Sequence, residues 1–257
     1  MPQTLGAHNP RIELARDLLK KKGRRANGLF SFEGPTLLDE ALRSGVAIES
    51  VFATKQAFEK SEAAKTLEVS GVPVYIVGDN TFSRISDVDN PTGLLAIAPL
   101  QISPLDEVLR DPGLVLILAD LSDPGNAGTL LRSAEAFGVT RVVFGTLGVE
   151  PRHPKVVRAA MGSGFRLEIA LAGPEQVQTI AQGADWQGIG LAADAPPLAE
   201  AVLPTRAMLV VGNERAGLGP WEAICATKRS IPMAGPTDSL NAAIAGSIAL
   251  YEASKRR

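Results

Sequence analysis

The run LVLILADL, residues 114–121, is the feature that most constrains the fold. A stretch so continuously apolar has no face to leave in water, so it reads as a strand buried on both sides, as in a parallel sheet. Turn-forming residues follow in SDPGNAG, and LLRSAEAF then carries helical spacing as far as Gly138. TRVVFGT is the next strand, and this unit has the length of a right-handed strand–helix–strand crossover. More of the same alternation continues to the C-terminus. RLEIAL, GIGLAAD, RAMLVVG and RSIPM read as strands, and HPKVVRAAMGS, PEQVQTIAQ, PWEAICATK and SLNAAIAGSIALYEASKRR as helices. The expected class is α/β with a parallel sheet over residues 113–257.

A smaller α/β series precedes it over residues 1–100. Residues 10–24 read as one helix, GLFSFEG as a strand, and PTLLDEALRSG as a helix with Pro35 at its first turn and Gly45 past its end. IESVFAT, VPVYIVG and GLLAIAPL supply strands, AFEKSEAAKTLEVSG a helix, and TFSRISDV looks helical. Residues 101–112, punctuated by Pro104 and Pro112, form the expected linker.

Composition narrows the chemistry. A single cysteine, Cys225, excludes a disulfide framework and a cysteine-based zinc site, and His8 and His153 form no metal pattern. No signal peptide is read at the basic start, and no segment is long and apolar enough to span a bilayer, so a cytoplasmic protein is expected. The first 25 residues hold Arg11, Arg16, Lys20, Lys21, Lys22, Arg24 and Arg25 against Glu13 and Asp17. Such a segment is either a solvated helix face or a surface that meets phosphates. With aromatics at 5%, a many-ring stacking platform is not expected.

Three loops leave the C-terminal ends of expected strands, where open α/β sheets place ligands. In SDPGNAG, Asn126 is a candidate N-cap, and Gly128 and Arg132, four apart, are expected on one helix face. Arg132 lies near the positive end of the helix dipole, where a cation costs a few tenths of a kcal/mol. It either reaches a surface carboxylate or faces a substrate. VVGNERAGLG has glycines for close backbone approach but neither a P-loop nor a dinucleotide fingerprint, which excludes a nucleotide-dependent oxidoreductase. In IPMAGPTDSLNAAIAG, Ser239 or Asp238 is expected to cap the last helix, with Asn241 in its first turn. The set contains no catalytic histidine, carboxylate pair or metal constellation, so it binds and orients rather than hydrolyses.

NAGTLLRSAEAFGV, VVGNERAGL and IPMAGPTDSLNAAIAGSIALYEASKR, in that order, resemble the three motifs of the SpoU–TrmH family of RNA ribose 2′-O-methyltransferases, in the SPOUT superfamily. FSFEGPTLLDEAL and DNPTGLLAIA are similar to that family's L30e-like substrate-binding domain. The resemblance implies a parallel sheet with its C-terminal segment in a deep trefoil knot. It implies S-adenosylmethionine as cofactor, bound at Gly212, Ile231 and Leu240 mainly through backbone atoms. Asn126, Arg132, Glu214, Ser239 and Asn241 match the catalytic positions, and no metal is implied. Family members are homodimers, so Arg132 could serve its own subunit's site or its partner's. The expected partner is RNA, ribosomal by analogy of layout, with transfer RNA and a non-catalytic RNA-binding role as alternatives. Two departures stand out: Arg215, where many members have a small residue, and NAAIA, where Val and Ser are frequent.

Overall fold

The computed structural model describes residues 2–235 and 239–256, which cluster into two compact units. The first is Met1–Gln101 with Arg152–Phe165, the second Ile102–Pro151 with Arg166–Arg257. This departs from the contiguous division 1–100, 101–112 and 113–257. The expected linker holds a short helix, and its Val108 and Leu109 are buried in the second unit's core. Residues 152–165 join the first unit because Val157 lies in its core and Phe165 packs on Phe32, ring centres 5.1 Å apart.

The first unit has β1 (Gln3–Thr4), α1 (Pro10–Asp17), α2 (Lys21–Asn27), β2 (Leu29–Glu33), α3 (Pro35–Arg43), β3 (Ser50–Ala53), α4 (Lys55–Lys60), α5 (Glu62–Val69), β4 (Val74–Ile76), α6 (Asp79–Phe82) and β5 (Leu94–Pro99). The sheet runs β1-β4-β3-β5-β2, antiparallel where β5 meets β3 and β2. TFSRISDV is helical only through Phe82. The expected helix over 10–24 is broken in two, with Lys20 extended between the pieces. Leu18 is fully buried, and Arg24, also buried, donates Nη1 to the Leu18 and Leu19 carbonyls at 2.9 Å each. Those carbonyls face no continuing helix, and the arginine satisfies them. Arg24 is therefore withdrawn from the basic surface, whereas Lys20, Lys21, Lys22 and Arg25 stay exposed or partly exposed.

The second unit has α7 (Leu105–Val108), β6 (Gly113–Leu118), α8 (Pro124–Ala136), β7 (Arg141–Gly145), β8 (Glu168–Ala172), α10 (Pro174–Gly183), β9 (Gln187–Leu191), β10 (Arg206–Val211), β11 (Cys225–Arg229) and α11 (Ala242–Ser254); α9 (Pro154–Ala160) belongs to the first unit. All six strands are parallel, in the order β11-β9-β10-β6-β7-β8. Leu114–Leu118 and Ala207–Val211 are buried throughout, as their unbroken apolar runs require. PWEAICATK is not a helix. A 3-10 turn over Gly219–Ile224 buries Trp221 and Ile224, and Cys225–Arg229 then pairs with β9. The pairing is possible because Gly188 has no side chain; a Cβ there would stand 2.2 Å from the Ile224 carbonyl oxygen. The strand thus ends at Arg229 rather than spanning RSIPM. Among the described residues, no helix is long and apolar enough to cross a membrane.

Candidate active site

In the second unit the chain winds outward from β6 through β7 and β8, then returns to the other side of β6. The central pair β6 and β10 is therefore a switch point, where two neighbouring strands send their following loops apart and leave a crevice. After β6, Asp120 takes a left-handed conformation, φ 53°, which aspartate tolerates. Its carboxylate accepts from the Leu147 amide at 2.9 Å and the Trp221 indole at 2.7 Å. Its carbonyl accepts from Asn213 Nδ2 at 2.7 Å, tying the β6 loop to the β10 loop. Asn213 Oδ1 in turn accepts from the Arg215 and Ala216 amides, closing a tight turn.

That turn presents Glu214 to the start of α8. Glu214 Oε2 accepts from the Ser122 amide at 3.1 Å and the Ser122 hydroxyl at 2.8 Å. Oε1 accepts from the Asp123 amide at 3.2 Å and Asn126 Nδ2 at 2.9 Å. Partial burial pushes its carboxyl up, but the bonds from Asn126 and Ser122 outweigh that and hold it down at about 2. With its amide nitrogen engaged by Glu214, Asn126 turns Oδ1 toward Asn241, whose Nδ2 donates at 3.0 Å. Asn241 Oδ1 accepts the Ala243 and Ile244 amides at 2.9 and 3.2 Å. A continuous chain, Glu214–Asn126–Asn241, thus links the loops after β6 and β10 to the start of α11.

Beside this chain lies a cavity of about 390 Å³, within the usual size of a small-molecule site. Gly212, Ile231 and Leu240, the expected cofactor positions, all line it, as do Glu214, Ser239 and Asn241. Gly212 has to be glycine, since a Cβ would fall 2.5 Å from the Gly217 carbonyl carbon across the closed turn. The cavity's lining combines apolar side chains such as Val211, Ile231 and Met233 with the polar or charged Asn213, Glu214, Arg229 and Asn241.

Asn126 and Arg132 do not line the cavity. Arg132 is exposed on α8 and, among the described residues, its side chain makes no hydrogen bond or ion pair, so the surface-carboxylate alternative has no partner there. Gly128 is buried with Ala127, Leu130 and Leu131, so it does not share Arg132's exposed face. The caps also differ from expectation. Asp123, not Asn126, caps α8, its Oδ1 accepting the Asn126 amide at 2.7 Å with Pro124 next in line. Asn241 itself, not Ser239, caps α11; Asp238, the other expected cap, lies outside the described residues. In both helices the asparagine or aspartate immediately before the helical turn is the shortest reach to the free amides. Asp120, Ser122 and Asn213 were not expected in the site. Asp-Pro and Gly-Asn were legible as cap and turn signals, whereas nothing local marks Asp120.

Residues 113–251 match the SpoU rRNA Methylase family, and residues 9–96 match the MRM3-like substrate binding domain. The 23S rRNA (guanosine(2553)-2′-O)-methyltransferase RlmP of Bacillus subtilis is 29% identical, with 98% of both chains covered. An AdoMet-bound rRNA methyltransferase from Sinorhizobium meliloti superposes with a TM-score of 0.87 at 30% identity, covering 98% of this chain and 97% of that one. The SpoU methyltransferase AviRb from Streptomyces viridochromogenes, in complex with AdoMet, gives 0.86 at 26% identity, covering 97% and 98%.

Proposed function

The chain belongs to the SpoU rRNA methylase family, and on that premise we propose that it transfers a methyl group from S-adenosylmethionine to a ribose 2′-hydroxyl of ribosomal RNA. The observation that carries the reading is the hydrogen-bonded chain Glu214–Asn126–Asn241 beside a cavity lined by Gly212, Ile231 and Leu240. A non-catalytic RNA-binding role gives no reason for a chain of polar side chains from three loops to border such a cavity. The Bacillus subtilis and Sinorhizobium meliloti relatives, matched over nearly their whole length, are named for ribosomal RNA, which favours it over transfer RNA.

When bound, S-adenosylmethionine supplies an electrophilic sulfonium methyl. The protein's part is to hold the ribose in line and to accommodate the charge that grows on its 2′-oxygen. We assign this to Arg132, exposed on α8 and unpaired among the described residues. A guanidinium keeps its proton up to about pH 12, so it serves as phosphate clamp and charge stabiliser, not as base. Glu214 is an equally poor proton acceptor, since its carboxylate is held at about 2 by its donors. Its role is to position Asn126 and the first turn of α8, and Asn241 completes that support. Ser239 contributes a hydroxyl at the cavity edge. Orientation of this kind can supply up to roughly 7–11 kcal/mol of a barrier in ideal cases.

The same reading takes the protein to be cytoplasmic and homodimeric, with the trefoil knot of its family. Ile244 and Tyr251, about half exposed on α11, offer apolar surface for a second copy, and Arg132 on neighbouring α8 would then face the partner's cavity. The first unit, an L30e-like fold in this reading, would choose the RNA, with Lys20, Lys21, Lys22 and Arg25 on phosphates. Mapping 2′-O-methylation in RNA from cells with and without the gene tests the reading; a ribosomal RNA site lost with the gene is expected. An unchanged map, or calorimetry without saturable S-adenosylmethionine binding, would overturn it.

A further inference from the structure

Among the described residues, three arginines bury an Nε that finds no acceptor: Arg24, Arg152 and Arg229. The first two are otherwise engaged. Arg24 donates to the Leu18 and Leu19 carbonyls, and Arg152 donates to the Gly164 and Gln101 carbonyls. Arg229 is different. It ends β11, its neighbour Lys228 is paired with Glu222 at 2.5 Å, and among the described residues its own side chain makes no hydrogen bond or ion pair. It also lines the cavity that holds Gly212, Ile231 and Leu240. Among the described residues, the carboxylate lining that cavity is Glu214, which already accepts four bonds from Ser122, Asp123 and Asn126 and leaves nothing for the guanidinium.

The buried Nε is closed to the cavity, so Arg229 meets a ligand through its two terminal nitrogens, which have no partner among the described residues and gain one when an acceptor arrives. We propose that Arg229 is a binding residue for the α-carboxylate of the S-adenosylmethionine amino-acid arm. This rests on the cofactor reading under Proposed function. The chemistry selects the group. The sulfonium and the ammonium of this cofactor are both cations, which a guanidinium repels, and the carboxylate is its one anion. A planar guanidinium meets a carboxylate with two parallel N–H bonds, a geometry lysine cannot reproduce. Arg229 thereby fixes one end of the ligand and, with it, the direction of the methyl.

The test is calorimetry on the full-length protein with S-adenosylmethionine and with decarboxylated S-adenosylmethionine, which differ in that one group. The wild type is expected to bind the former about ten- to a hundredfold more tightly. In Arg229→Met that preference should collapse, with affinity for the decarboxylated compound unchanged or improved; Arg229→Lys should keep part of it. Unchanged binding of the decarboxylated compound also reports an intact fold, and Arg229→Gln carries the measurement if the methionine variant does not fold. Equal weakening toward both ligands would overturn the assignment in favour of a supporting role. No change toward either would also overturn it, and a loss of RNA affinity alone would give the cation to an RNA phosphate. If the wild type bound neither ligand, the cofactor reading itself would fail.

Discussion

Replacing Glu214 by glutamine removes a charge at nearly constant size, and the structure sets the consequence. The carboxylate accepts from the Ser122 amide and hydroxyl, the Asp123 amide and Asn126 Nδ2, all between 2.8 and 3.2 Å. An amide offers one acceptor oxygen, and its nitrogen would point donors at donors. The depression of the carboxyl from 4.5 to about 2 corresponds, through linkage, to a ceiling of about 3 kcal/mol at neutral pH. Glu214 is exposed, so water screens much of that, and about 1–2 kcal/mol is the expected loss. For a protein of this size that lowers Tm by about 2–8 °C. The pH dependence identifies the cause. A carboxyl with a depressed folded-state pKa stabilises fully above its unfolded value of 4.5, and this stabilisation disappears as pH falls toward about 2. Urea denaturation of both proteins between pH 7 and pH 3 should therefore give a gap that is constant down to about pH 5 and narrows below it. A gap that stayed constant to about pH 3, or one below about 0.3 kcal/mol at neutral pH, would refute the account.

Arg132→Ala is expected to abolish most methyl transfer while leaving Tm within about 1 °C, because the side chain is exposed and unpaired among the described residues; full activity in the variant would sink its assigned role. Gly212→Ala forces a Cβ to 2.5 Å from the Gly217 backbone and should cost about 1–3 kcal/mol in chemical denaturation, with S-adenosylmethionine binding weakened alongside. Changing Lys20, Lys21 and Lys22 to glutamine should weaken RNA binding and flatten the plot of log affinity against log salt by about 2–3. An unchanged slope would make the segment a solvated face. Adding Arg24→Gln should instead lower stability, since that side chain holds the Leu18 and Leu19 carbonyls.

The runs 114–118 and 207–211 read as strands and are buried in the parallel sheet, where an apolar stretch without a polar face is covered on both sides by crossover helices. The glycines and asparagines after them marked the loops where a ligand would sit, and the order of three motifs carried the family. Local pattern went wrong where a distant surface decided the outcome. PWEAICATK has helical spacing, but its Cys225–Lys228 end joins Arg229 in a strand because Gly188 on β9 leaves room for it. The helix over 10–24 breaks because burying Leu18 turns the chain and Arg24 can reach back to its carbonyls. Caps at Asp123 and Asn241 were a matter of a few residues, settled by reach. The bonds that make a site of these loops, Glu214 to Asn126 across 88 positions and Asn126 to Asn241 across 115, are properties of the assembled sheet. Sequence determines which groups are available and that their loops leave one edge of a parallel sheet. Only tertiary structure decides which donor meets which acceptor, because hydrogen bonds demand placement within a few tenths of an ångström, and strand order supplies it.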